Sequence, residues 1–493
     1  MASDKNKEKS GGEVLLEKIG FSVKNCWETL AADERDKVFK FAEDYKSFLD
    51  SAKTEREFTT QAMAILKNNG FKDVDEALAK GDVIAAGDKV VQNVRDKAVI
   101  FAIVGSRPMT EGFNILGAHI DSPRIDLKTN PLYEDTGLAF MDTHYYGGIK
   151  HYQWSTIPLA IHGIVIKKNG EKCTVVVGEN ESDCVFTVTD LLPHLAREQM
   201  DKKASEFVGG EELDLLVGSE PYIDEKVEDK VKLGVLNILY EKYGIKEEDF
   251  ASAEFEVVPA HKARDLGFDR SMIGAYGHDD RCCAYTSFAA ALLIAGNKSP
   301  PERTAICVLE DKEEIGSYGN TGSQSKNFEN FVSYLLALRE GSEKALSAGF
   351  DIDRRLALSR SYMLSSDVNA AFDPGFAGVF DKKTASHFGK GLAISKYTGR
   401  GGKVGGSDAN AEFCRRVLNT LDKNGVRWQY GNLGKVDKGG GGTIALHFAG
   451  LGIEVLDCGI PVLSMHSPFE VISKIDLYTA FRGYTAFLGE NSG

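Results

Sequence analysis

The stretch Phe113-Asn-Ile-Leu-Gly-Ala-His119-Ile-Asp121-Ser-Pro-Arg124 carries the reading of the fold. A largely apolar run stops abruptly at a histidine and an aspartate, the pattern of a buried strand whose end delivers polar groups. The pattern recurs along the chain. Ala305–Leu309 stops at acidic residues, Tyr362–Leu364 stops at Ser365-Ser366-Asp367, and Val455–Leu456 with Val462–Leu463 frames an edge before His466. Ala98–Val104 is a further apolar run. Helix-like stretches, Arg281–Ala295, Asp408–Leu421 and Ile472–Leu488, separate these runs. Strands alternating with helices predict an α/β sandwich, a central mixed sheet with helices on both faces. Ligands bind at the carboxyl ends of strands in such folds, where His119, Glu313, Glu314, Asp367 and His466 all fall.

Trp27 to Leu49 carries apolar residues at helical spacing. Thr54 with Glu57 matches a capping box that opens a second helix through Phe58, Ala62, Ile65 and Leu66. From Tyr145 to about Glu254 the texture changes: short strand-like pieces, Ile161–Lys167 and Cys173–Val177, alternate with turns and a charged helical stretch from Asp224 to Tyr243. This reads as a domain inserted into the first one. The glycine-rich stretches Gly399–Gly406 and Gly439–Gly442 lack the phosphate-loop pattern. They are expected to be flexible loops, or backbone that approaches a ligand closely.

The chain has 493 residues, 42% hydrophobic and 27% charged, which calls for two or three compact units. Its net charge of −14 argues against nucleic acid or an anionic membrane as a partner. The first twelve residues lack the apolar core of a signal peptide and are expected to form a short disordered tail. No apolar run reaches the ~18 residues of a membrane span. Eight scattered cysteines without a CxxC pair, Cys282 and Cys283 being adjacent, predict reduced, mostly buried thiols in a cytoplasmic protein.

Five segments concentrate histidine and carboxylate: Gly117-Ala-His-Ile-Asp121-Ser-Pro-Arg124, Gly277-His-Asp279-Asp280-Arg281, Glu310-Asp-Lys-Glu313-Glu314-Ile-Gly316-Ser317, Ser365-Ser-Asp367-Val-Asn369 and Ser464-Met-His466-Ser-Pro-Phe-Glu470. One surface Asp or His is ordinarily just solvated, and a Glu pair is ordinarily a solvated face. Two imidazoles and several carboxylates at strand ends together suit Zn²⁺, Mn²⁺ or Co²⁺. On an extended segment residues i and i+2 share a side, so Asp121 can hold the far nitrogen of His119 and free the other for metal. The pair Glu313-Glu314 permits one carboxylate to bind metal while the other takes a proton from the activated water.

These motifs (GAHIDSPR, HDD, EEIGS, SSD and SMHSPFE) in this order and spacing resemble the aspartyl aminopeptidase family of dinuclear zinc metallopeptidases, in its bacterial branch. The resemblance runs from about Glu55 to the C-terminus. It implies a catalytic α/β domain formed by residues 1–135 and 255–493, an inserted β-rich dimerisation domain at 136–254, and assembly into a large homo-oligomer, a dodecamer. It implies two divalent ions bridged by Asp279, with His119 and Asp367 completing one site and Glu314 and His466 the other. Glu313 would be the general base and then the acid for the leaving amine, and Asp121 would steady His119. Asp280 follows the bridging aspartate where related enzymes have a cis peptide bond. The implied activity removes the N-terminal residue of peptide substrates, with an acidic residue, Asp or Glu, favoured.

The chain departs from the family pattern in two places. Pro193-His-Leu-Ala196 is followed by Arg197 and Glu198, where the pattern has a second His serving the neighbouring subunit's substrate site. The stretch Gly399–Ser407 differs from a version in which a Lys reads the substrate's acidic side chain. Lys396, Arg400 and Lys403 are the nearest candidates for that task. Two other readings stay open on the motifs: another dinuclear hydrolase, such as a carboxypeptidase or deacylase, and a non-catalytic assembly protein. An intact Glu313 speaks against the last.

Overall fold

The computed structural model describes residues 9–341 and 349–490. Its centre is a nine-stranded mixed sheet. In spatial order the strands are Lys72–Asp73, Lys89–Val94, Ala98–Ile103, Ala305–Glu310, Asn114–His119, Tyr362–Ser365, Glu454–Gly459, Leu392–Ser395 and Trp428–Tyr430. The four strands from Ala305–Glu310 to Glu454–Gly459 run parallel, in a register that pairs Glu310 with His119 and Ser365 with Gly117. Their carboxyl ends therefore open on one edge.

Period-two alternation splits these strands between two cores. Val99, Phe101, Leu116, Ala118, Cys307 and Leu309 face the helices Ala32–Asp50, His278–Ala295 and Lys474–Leu488. Ile100, Ile115, Ile306 and Val308 face the opposite side, with Phe328, Phe331 and Phe448. Both sheet faces are dry, so the strands read as continuous apolar runs. Each fully buried Phe or Leu stabilises the layer by about 1.5–3 kcal/mol.

A second, seven-stranded sheet takes its strands from Arg124 to Pro259, so it reaches beyond residues 136–254 at both ends. It encloses its own apolar core around Trp154, Leu159, Leu215 and Val257. A five-stranded sheet includes Met272–Ala275, Glu470–Ser473, Pro461–Leu463 and Asn369–Ala370. A two-stranded ribbon joins Gly399–Arg400 to Gly440–Gly441, the two glycine-rich stretches.

Several expected bounds move, each for a tertiary reason. The helix expected over Trp27–Leu49 is two, Cys26–Thr29 and Ala32–Asp50, folded on each other around Cys26, Val38 and Ile475. The helix expected from Asp224 starts at Lys230, where the carboxylate of Glu134, distant in sequence, accepts from the amides of Val231 and Lys232 at 2.7 and 2.9 Å. Ile472 belongs to the strand Glu470–Ser473, and the last helix begins at Lys474. The capping box at Thr54 forms as expected: its hydroxyl accepts from the Glu57 amide, and the Glu57 carboxylate accepts from the Thr54 amide. Residues 1–8 of the expected tail lie outside the described residues, while Ser10 caps an exposed helix, Gly11–Ile19.

All eight cysteines are free and six are buried. Cys282 and Cys283 are fully buried, and burial pushes Cys282 up to about 11 and raises Cys283 well above the usual thiol range, the setting of structural thiols. Among the described residues no helix is long and apolar enough to cross a membrane.

Candidate metal centre

The strand Asn114–His119 ends on the first imidazole, buried at the sheet edge. Its Nδ1 lies 3.1 Å from the Asp121 carbonyl and 3.2 Å from Asp121 Oδ1. Both neighbours are acceptors, so Nδ1 carries a proton and Nε2 is the nitrogen turned to the cluster. Asp121 also accepts from the amides of Glu313 and Glu314, each at 3.2 Å, and so ties the Glu-Glu turn to His119.

Asp279 lies just past the small sheet, in the first turn of the helix His278–Ala295. After Ala275 the chain turns at Gly277, whose φ of +76° suits glycine, and a Cβ there would collide with the Arg281 guanidinium. The Asp279–Asp280 peptide is cis, as the resemblance implied. His466 follows Pro461–Leu463 on a loop in which Ser464 and His466 have φ of +57° and +64°. Such left-handed angles are uncommon for non-glycine residues. Glu470 fixes this arrangement, its two oxygens accepting from the amides of His466 (2.7 Å) and Asp279 (3.0 Å).

Among the described residues four donor groups form; one is Asp280 with Cys282 and Cys283, one is His119 with Glu313 and Glu314, and the other two share Asp279. Of these two, His119, Asp279 and Asp367 form one; Asp279, Glu314 and His466 form the other, with donor atoms within 4.8 Å of one another in each. Asp279 belongs to both: Oδ1 is 3.4 Å from His119 Nε2, and Oδ2 is 3.0 Å from His466 Nε2. Glu314 Oε2 lies 3.5 Å from His466 Nε2, and Asp367 Oδ1 4.0 Å from His119 Nε2. Glu313 Oε2 approaches His119 Nε2 at 3.9 Å.

Electrostatics makes this cluster costly as it stands. Burial pushes Glu313 up to about 7 and raises Glu314 and Asp367 well above the carboxylate range, with neighbouring carboxylates adding to it. Burial opposes charge on the imidazoles too, but Asp121 and Asp279 outweigh it at His119, and Glu314 and Asp279 lift His466 to about 11. Two unit charges ~4 Å apart interact by roughly 4 kcal/mol at an effective dielectric of 20. Four carboxylates gathered around two imidazoles thus call for cations. Glu314 Oε1, buried without a hydrogen-bond partner, waits for one. The residues fit a pair of divalent ions, with imidazole and carboxylate donors of the kind that Zn²⁺ takes.

A cavity of about 310 Å³ opens from the cluster. Of the three candidate cations Lys403 lines it, while Lys396 and Arg400 do not. Lys403 Nζ lies 2.6 Å from Asp408, which also pairs with Lys396 at 3.0 Å, and 4.0 Å from the centre of the Tyr397 ring. Sequence reasoning missed Lys435 on the cavity wall, the clamp by Glu470, and Tyr146, whose hydroxyl donates to Asp121 Oδ2 at 2.8 Å. Glu470 had a signal, four residues past His466 in the same motif. Tyr146 and Lys435 had none, since they reach the site only through chain crossings.

A three-layered α/β scaffold presenting buried imidazoles and carboxylates at strand ends defines a metal-dependent hydrolase. The family model for aminopeptidase I zinc metalloprotease (M18) matches residues 48–488, and the chain belongs to that family. It is 50% identical over 465 residues, 94% of this chain and 98% of the other, to a probable M18 family aminopeptidase 1 of Clostridium acetobutylicum. Among solved structures, the M18 aminopeptidase of Thermotoga maritima superposes with a TM-score of 0.88 at 41% identity, covering 95% of this chain and 99% of that one. Aminopeptidase I of C. acetobutylicum gives 0.87 at 48%, covering 95% and 100%. The S. cerevisiae mApe1 dodecamer shares the fold at 20% identity, with a TM-score of 0.71 and 91% and 96% coverage. The protein is a metalloaminopeptidase, which removes the carboxypeptidase, deacylase and non-catalytic readings.

Proposed function

We propose that the cluster holds two divalent ions, Zn²⁺ ahead of Mn²⁺ or Co²⁺, bridged by Asp279. His119 and Asp367 complete one site, Glu314 and His466 the other. The observation carrying this is the pair of three-donor groups that share Asp279. When bound, the ions would polarise the scissile carbonyl, acidify a water to a pKa of about 7 and anchor the free α-amino group. Glu313 then takes the proton at its carboxylate and returns it to the leaving amine. Asp121 keeps His119 in one tautomer throughout. Exhaustive chelation is expected to abolish hydrolysis of N-terminal aminoacyl substrates, and Zn²⁺, Mn²⁺ or Co²⁺ to restore it. Full activity in demetallated protein would end this reading.

The seven-stranded layer, with residues 136–254 at its heart, is proposed as the dimerisation unit of a large homo-oligomer, a dodecamer. Support comes from large apolar side chains left exposed there, among them Leu195 (69%), Ile223 (91%) and Ile238 (62%). The mApe1 dodecamer on the same fold supports the size. The free thiols support a reducing, cytoplasmic setting. For specificity, Lys403 is proposed to read an acidic N-terminal side chain. Of the three candidates it alone lines the cavity, and it shares the single charge of Asp408 with Lys396.

A further inference from the structure

Both imidazoles of the cluster are held by one short segment of the seven-stranded layer. Tyr146 ends the strand Leu138–Tyr146, paired with Arg124, whose guanidinium lies 4.0 Å from the centre of the tyrosine ring. The Tyr146 hydroxyl donates to one oxygen of Asp121, whose other oxygen takes the Nδ1 proton of His119. Two residues on, the Gly148 carbonyl lies 2.9 Å from His466 Nδ1. A carbonyl only accepts, so this nitrogen also carries the proton and His466 Nε2 is left to face Asp279 and Glu314. Gly147, between them, has a φ of +73°, and a Cβ there would press within 3.3 Å of Glu314 Cβ and 3.4 Å of Pro123 Cβ. Glycine suits this angle, and an added Cβ would have to displace the Glu314 side chain or Pro123.

We propose that Tyr146-Gly147-Gly148 is a positioning strap that orients one imidazole in each ion site, Tyr146 acting on His119 through Asp121 and the Gly148 carbonyl acting directly on His466. The strap rests on the ligand assignment above. It makes the geometry of both sites depend on the layer proposed for assembly rather than on the catalytic sheet alone. Outer partners of a ligating imidazole are commonly worth 10–100-fold in metal affinity. The two arms of the strap should be separable, because they touch different histidines. A tyrosine that merely fills space would leave both sites unchanged when its hydroxyl alone is removed.

The experiment is a titration of the metal-free full chain with Co²⁺, followed by visible absorption. Asp367→Asn and Glu314→Gln each remove one binding step and so assign the two steps. If neither does, the ligand assignment fails, and the strap falls with it for that distinct reason. Given the assignment, Tyr146→Phe is expected to weaken the Asp367 step 10–100-fold and leave the Glu314 step within about twofold. Gly147→Ala is expected to do the reverse. Tyr146→Phe deletes one oxygen from a half-buried ring and decides the matter alone should Gly147→Ala not fold. Unchanged affinities in Tyr146→Phe, or equal weakening of both steps, would overturn the strap.

Discussion

Replacing Glu313 by Gln tests the proposed division of labour between the adjacent glutamates. The substitution is isosteric, and the Glu313 amide that donates to Asp121 at 3.2 Å is untouched. Its carboxylate makes no hydrogen bond among the described residues and opens towards the cavity, 3.9 Å from His119 Nε2. Glu313 lies in neither three-donor group built on Asp279; it shares a separate group with His119 and Glu314, and metal content tells the base from a ligand. What is lost is a proton acceptor used twice, once on the attacking water and once for the leaving amine. General acid–base groups contribute ~10²–10⁴-fold, and double use places this one near the upper end. At about 1.36 kcal/mol per tenfold, a 10⁴-fold fall in kcat is about 5.4 kcal/mol of transition-state stabilisation. The assay is steady-state hydrolysis of an aminoacyl p-nitroanilide, with metal content measured on the same sample by mass spectrometry. KM and metal content should stay within a few-fold of the parent. A variant within tenfold of the parent in kcat would show that the base lies elsewhere, and one that lost metal would make Glu313 a ligand.

Lys403→Met is expected to lower kcat/KM for Asp or Glu substrates by roughly 10²-fold, about 2.7 kcal/mol, while sparing Leu and Ala substrates. Equal losses on all substrates, or none, would mean that the ribbon does not read the side chain. Light scattering at micromolar concentration should report a large assembly, with Ile238→Asp shifting it to smaller species; a monomeric parent would remove the assembly role. Thr54→Ala breaks the capping box of the helix Glu55–Asn68 and should cost about 1 kcal/mol in denaturant unfolding at fixed protein concentration. Activity under native conditions should not move, and a large loss there would tie that helix to the metal centre.

The sequence alone determined the α/β class, because both faces of the central sheet are dry and its strands read as unbroken apolar runs. It determined which polar residues end those runs, and strand ends cannot point their side chains far from the sheet edge. His119 and Asp121 were legible as a pair since their spacing of two is a local matter. The capping box at Thr54 was legible for the same reason: its partners lie within one helical turn. Tertiary structure decided the rest. The helix after Asp229 starts where Glu134 offers its carboxylate, and no local pattern announces an acceptor from another strand. Lys396, Arg400 and Lys403 were equivalent in sequence, and only the pairing of the glycine ribbon turned Lys403 alone to the cavity. Tyr146, Gly148 and Lys435 reach the centre because separate layers pack against it. Hydrogen bonds to His466 and Asp121 from so far along the chain depend on where the sheets meet, which neither periodicity nor motif encodes.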